Sequence, residues 1–156
     1  MTCTSTTPVV DASWADAVAL ADRLQRGERP ADLGLGGLPA DERATLQTSA
    51  SYEQQCAPRE DHWGEPSATQ VVVTDRRILV SHQHRGLLSL WYVDVENLQL
   101  ARAEDGWALD LHPVGINPHV RITGPTAPLV AVHVAHAAFP RTWQRLSGLL
   151  PLLEAA

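Results

Sequence analysis

Along the chain the apolar positions change period twice, from helical to alternating and back. Ser13-Trp14-Ala15-Asp16 has the form of a capping box, with a hydroxyl to accept an orphan N–H and an acid near the positive helix end. Trp14, Val18, Ala21 and Leu24 then recur at helical spacing, so the pattern predicts a helix over 13–26 with one apolar stripe. Gly27 stands where a left-handed cap would close it. The Thr-rich residues 1–10 are expected to form a disordered tail, and the Gly- and Pro-punctuated run from Gly27 to Pro39 reads as a loop.

From residue 42 the pattern is that of short strands. Weak alternation marks 42–53, and 54–67 is a polar loop. Val71-Val72-Val73 and Ile78-Leu79-Val80 are β-branched runs joined by the polar quartet Thr74-Asp75-Arg76-Arg77, which predicts a hairpin. Leu87–Val93, Leu98–Ala103, Trp107–Leu111 after the Asp105-Gly106 turn, Val120–Thr123 and Leu129–Ala135 are read as further strands. Phe139, Trp143, Leu146, Leu150 and Leu153 return to helical spacing, predicting a closing helix that Pro140 can begin and Pro151 should end or kink. A helix, about seven short antiparallel strands and a final helix imply a sandwich or an open barrel with a plugged corner.

Composition narrows the class. The chain has 156 residues, 44% hydrophobic, with a formal net charge of −6, which suits one folded domain and excludes a wholly disordered chain. No stretch approaches the ~20 apolar residues that span a bilayer, and the N-terminus has no basic-then-apolar leader pattern. Cys3 and Cys56 are too few for a disulfide scaffold, and the chain reads as cytoplasmic. Residues 1–66 hold 5 Arg against 11 Asp and Glu, whereas 67–156 hold 7 of each. Neither half offers the clustered basic face that nucleic acid or an anionic membrane requires.

The segment Val71 to Val80 (VVVTDRRILV), followed by Gly86, Ser89-Leu90 and Tyr92-Val93-Asp94-Val95, resembles bacterial PH-like and GRAM-like domains. Those carry an apolar strand, a T-x-x-R turn, a second apolar strand and an S-L-x-Y-x-D-I strand end. Leu38-Pro39-Ala40-Asp41-Glu42 is similar to the L-x-x-G-E lead-in of that family, with Asp41 where Gly is usual. The resemblance covers residues 38–153 and leaves 11–37 as an added helix and linker. It implies a mainly β, α+β fold: a bent seven-stranded antiparallel barrel or sandwich capped by a C-terminal helix. It also implies structural roles for Arg76 and Arg77, one paired locally and one solvated, and for Trp143 pressed onto the sheet. Phosphoinositide-binding members use basic residues in the loop between the first two strands. Here that loop, 54–67, sets Arg59 alone against Glu60, Asp61 and Glu65, which argues against an anionic headgroup.

Titratable motifs are sparse. His82-x-His84 on a strand puts two imidazoles on one face, roughly 6 to 7 Å apart, close enough to share a metal with His112, His119 or a carboxylate as third ligand. The plainer reading is two polar residues at a strand end. His133 and His136 are expected on the surface, with His133 facing outward between Val132 and Val134. Cys56, Asp61 and His62 share one loop, but their acidic neighbours do not favour a thiolate. Gly34-Leu35-Gly36-Gly37 follows no strand and is a linker rather than a phosphate loop. Trp14, Trp107 and Trp143 fall on apolar faces. Trp63, in a polar acidic loop, has no periodicity to bury it and is either a candidate binding aromatic or a ring that folds back to cover the sheet edge.

The chain is therefore expected to be a non-enzymatic interaction module that takes a protein or peptide partner, with no cofactor. Trp63 and the helix-stripe residues Trp14, Val18 and Leu24 are the candidate contacts. The expected groove lies between an edge strand and the C-terminal helix; the N-terminal helix either occupies it in cis or is the piece that docks elsewhere, and self-association through an open edge is a further expectation. The competing readings are a small-molecule or lipid binder with Trp91, Tyr92 and Trp107 lining the barrel interior, and a metal-dependent enzyme built on His82 and His84.

Overall fold

The computed structural model describes residues 7–54, 63–64, 67–82, 86–103, 106–115 and 118–156, with backbone only at 7–12 and 82. Helix α1 spans Thr7–Gln25. It starts six residues before the expected Ser13, so that serine lies inside the helix and caps nothing. Pro8, in the first turn, explains the early start: its missing N–H is not needed there and its φ is already helical. The C-terminal end matches the expectation. Gly27 takes φ +91°, its N–H donates to Leu24 O at 3.1 Å, and Glu28 N–H donates to Arg23 O at 3.1 Å, which is a Schellman closure.

Seven strands follow: β1 Ala44–Gln54, β2 Ser67–Thr74, β3 Arg77–His82, β4 Gly86–Trp91, β5 Val95–Ala103, β6 Gly106–Pro113 and β7 Val120–Gly124. They form one antiparallel sheet in the order β4-β3-β2-β1-β7-β6-β5. β4 and β5 are consecutive in the chain yet occupy opposite edges. Only the 3₁₀ turn Tyr92–Asp94 separates them. Three residues span at most about 15 Å between the strand ends, so the sheet must curl until its edges meet at that corner. β4 and β5 are not paired, so the sheet is a bent, unclosed one rather than a barrel.

Two expected elements are corrected. Leu129–Ala135 is not a strand but the centre of helix α2, Ala127–Ala138. Its alternating valines imitate a two-residue period because α2 is buried on nearly every side, between the sheet and α1, and so shows no polar face. Pro128 in the first turn and the Ala-rich end are the helical signals in that run. The expected helix from Phe139 is broken into 3₁₀ turns at Trp143–Arg145 and Ser147–Leu149 and a short α3, Leu150–Leu153. Phe139, Trp143, Leu146 and Leu153 of the anticipated seam pack on the core, but Leu150 faces solvent and Leu149 and Leu152 are buried instead. Pro140, Gly148 and Pro151 interrupt the run, and α2 is the helix that covers the sheet.

The turn Ser147–Leu149 lies directly on β5. A Cβ on Gly148 would run into the Leu98 carbonyl oxygen and come within 2.8 Å of Gln99 Cα, both backbone atoms that cannot swing aside. Gly148→Ala is therefore expected to lower stability by about 1–3 kcal/mol, the usual range for overpacking, read as a drop in the urea midpoint at unchanged slope.

Candidate functional site

The motif that carries the family resemblance folds into one buried polar knot. Glu42 precedes β1, and its side chain is 1% exposed; Arg77, opening β3, is 17% exposed. Arg77 Nε donates to Glu42 Oε2 at 2.9 Å and its Nη2 to Oε1 at 3.0 Å, a bidentate pair. Thr74 Oγ1 donates to Glu42 Oε2 at 2.7 Å and accepts the turn N–H groups of Arg76 and Arg77. The Tyr92 hydroxyl reaches the carbonyls of Thr74 at 2.7 Å and Arg77 at 3.0 Å. Arg77 and Thr74 hold the Glu42 carboxyl below the ordinary carboxylate value against the opposing effect of burial, and burial pushes the Tyr92 phenol well up. Arg76 is paired as well, with Asp41 at 2.6 Å on the surface, so neither arginine is solvated alone.

This knot presents one edge of the sheet. Arg77 Nη1 donates to Ser89 Oγ at 3.1 Å, and its guanidinium lies 4.5 Å from the Trp91 ring centroid. On the outer face of β4 and the turn after it, Leu87 is 65% exposed, Trp91 40% and Val93 87%. Leu88 and Leu90 point the other way and are half-buried. Among the described residues β3 is the only strand beside β4, so the far side of β4 keeps unpaired backbone groups.

The inward face of β4 opens on a cavity of about 370 Å³. Leu88 and Leu90 form one wall, Ile78 and Val80 of β3 the next, and Leu111, Val120 and Ile122 of β6 and β7 the wall opposite. Tyr52 and Gln54 of β1 lie at its base, and Asp94 is the charged lining residue among those described. Strands from both ends of the sheet order share this cavity because the sheet curls. It opens because β4 never closes onto β5.

The structure places the expected contacts elsewhere. Leu24 is buried, and Trp14 and Val18 are half-buried against the core. Trp14 stacks on Trp107 at 4.5 Å between centroids and 8° between planes. The α1 stripe is thus consumed inside the fold, against α2 and β6, and does not lie along a sheet edge. Trp63 is half-buried on the outer side of the sheet, with the Arg121 guanidinium 3.9 Å from its ring centroid, and Arg121 also pairs with Asp110 at 2.7 Å. Of the aromatics expected in the interior, Trp107 and Tyr92 are buried in packing and Trp91 is outside; none lines the cavity.

The histidines divide differently from the expectation. The His82 side chain, His84, Cys3, Cys56, Asp61 and His62 lie outside the described residues. His112 and His119 stack on each other at 4.5 Å, and among the described residues no group of three or more His, Cys, Asp or Glu is placed to hold a metal. His133 is buried rather than outward-facing, because α2 is a helix: its Nδ1 shares a hydrogen bond with Thr45 Oγ1 at 3.0 Å. What the sequence did not single out is the exposed β4 edge. Its signal was the uncharged run Gly86–Val93, in which both faces are apolar.

No family model matches the sequence, and no curated protein matches it. Among solved structures, the chain is similar to the C-terminal domain of an unknown protein from Leishmania infantum, with TM-score 0.43 and 11% identity, covering 63% of this chain and 86% of that one. It is also similar to the hSac2 domain from human phosphoinositide phosphatase Sac2, with TM-score 0.41 and 12% identity, covering 64% of this chain and 73% of that one. No helix among the described residues is long and apolar enough to cross a membrane.

Proposed function

We propose that the chain is a non-enzymatic PH/GRAM-like interaction module that binds a protein partner by adding an extended segment of that partner to β4. The observation that carries this reading is the junction of a bare edge strand with a cavity. Backbone pairing to β4 supplies affinity, and alternate side chains of the incoming segment enter the cavity past Leu88 and Leu90 or lie on Leu87 and Trp91 outside. Charge adds a preference. Asp94 at the cavity margin favours a basic residue at that end of an otherwise apolar segment. The family reading is supported by the sequence motif, whose Thr, Arg, Glu and Tyr positions meet in the knot behind β4.

The test is selection of binders from a displayed library of random linear peptides. Selected peptides should alternate apolar residues and lose at least about tenfold in affinity for Leu87→Asp, an exposed position, and for Trp91→Ala, whose fold is checked first by its urea midpoint because the ring covers the Arg77 guanidinium. Leu150→Ala, an exposed apolar residue on α3, should bind as wild type does. Binders equally insensitive to all three substitutions would remove β4 as the site.

A further inference from the structure

A second cavity lies far from β4, beneath the strap that links α1 to β1. Residues 28–33 cross the crevice between α1, α2 and the start of β1, tied down at their ends by Glu28 N–H to Arg23 O and Leu33 N–H to Ala44 O. Two adjoining spaces, of about 430 Å³ and about 550 Å³, are both lined by Glu28, Arg29 and Pro30 of the strap. Both share a floor of Thr45 and His133 and a wall at Leu24. These volumes are in the range of small-molecule sites.

The floor is polar and its walls are mixed. His133 Nδ1 is taken by Thr45, which leaves Nε2 as the ring nitrogen for a ligand. Arg23 from α1, Arg29 from the strap and Arg43 before β1 line the space, and among the described residues none of the three is in an ion pair. Leu20, Leu24 and Leu129 supply an apolar side. Acids also border the space, but three are engaged: Glu28 with Arg26 at 3.6 Å, Asp32 with Gly34 N–H at 2.8 Å, and Asp75 with Arg43 N–H at 3.0 Å. The fourth, Asp16, is exposed on the α1 rim.

We infer that this crevice binds a small organic carboxylate, its head between Arg23, Arg29 and the His133–Thr45 floor and its short apolar body against Leu20, Leu24 and Leu129. The electrostatics agree. Burial and then the neighbouring His136 and Arg23 hold the His133 ring down to about pKa 4, and burial and then Arg29 lower His136. After burial, Arg23 acts on the His133 ring and Arg29 on the His136 ring, and a carboxylate placed between these guanidinium groups offsets that effect. A bound carboxylate raises both imidazole values, so its affinity increases as the pH falls toward them.

The experiment is nitrogen NMR of the histidine rings in the full chain, titrated in parallel with hexanoate, n-hexanol and inorganic phosphate. Hexanoate should move the His133 and His136 ring signals saturably, bind more tightly at lower pH, and raise Tm. Arg23→Gln with Arg29→Gln, both exposed, should weaken that binding by about tenfold or more while leaving the apo Tm unchanged. Hexanol as effective as hexanoate, phosphate as effective as hexanoate, or no saturable shift with hexanoate would each overturn the inference.

Discussion

Replacing Glu42 by alanine is expected to lower stability by about 3–5 kcal/mol, enough to bring a domain of ordinary stability close to unfolding. The cost comes less from the attraction lost than from the group left behind. Arg77 would stay largely buried under Trp91 with two of its donors, Nε and Nη2, stripped of their acceptor, while Thr74 Oγ1 would fall back on its other acceptor, the Arg77 carbonyl at 3.0 Å. Arg77→Ala should cost a similar amount, because it strands the Glu42 carboxylate. Arg77→Lys should recover only part, since an ammonium cannot reproduce the bidentate geometry. The double replacement Glu42→Gln with Arg77→Met should cost much less than the sum of the single changes, as neither charge is then left alone. The pH dependence has a definite sign. The folded carboxyl of Glu42 sits below its ordinary value of 4.5, so its stabilisation is present above that pH and is lost as the pH falls through the folded value. Urea midpoints across that range, wild type against Glu42→Gln, measure it. Asp41→Ala, on the exposed Arg76 pair, should change the midpoint little.

Trp107→Ala is expected to cost about 3–5 kcal/mol as well, through a different physical effect. The indole is buried, stacks on Trp14 and lies under Arg102, whose guanidinium is 4.9 Å from its ring centroid. Truncation empties that space and removes the contact that holds the N-terminal half of α1 to β6. Trp107→Phe separates packing from hydrogen bonding. Among the described residues no acceptor lies within hydrogen-bond reach of the buried Trp107 Nε1, so its removal forfeits no described hydrogen bond. Phe should therefore retain most of the stacking and cost less than half as much as Ala. A Phe variant as unstable as the Ala variant would mean that the indole N–H has a partner after all.

The β2–β3 hairpin was legible from its β-branched runs and polar turn, although Ile78, Leu79 and Val80 are all buried, and the β5–β6 hairpin because it faces the core on one side only. The β6 run Trp107, Leu109, Leu111 alternates buried and half-buried from end to end, and its two-residue period is plain in the sequence. α2 was not legible for the opposite reason: a helix buried all round carries no periodicity, and valine favours the wrong assignment. The chain end failed because Trp143, Leu146 and Leu150 satisfy a helical spacing that Pro140, Gly148 and Pro151 do not allow the backbone to keep. Arg77 and Glu42 were both in the motif, but only the fold shows that they meet, since 35 positions separate them. The α1 stripe was correctly read as apolar, yet an apolar stripe does not say whether it faces a partner or its own core. Trp14 answers that by stacking on Trp107. The open edge at β4 was invisible for a topological reason: only strand order reveals that β4 and β5, adjacent in sequence, are the two unpaired edges.

The central claim is that β4 accepts an added strand, and amide hydrogen exchange read residue by residue tests it most directly. In the free chain, alternate amides of Gly86–Trp91, those turned away from β3, should exchange fast while their neighbours are protected. On addition of a selected peptide those same alternate amides should slow, with Leu88 and Leu90 side-chain signals shifting at the cavity. Peptide binding that leaves all the β4 amides as they were, or a free chain in which every β4 amide is already protected, would contradict it.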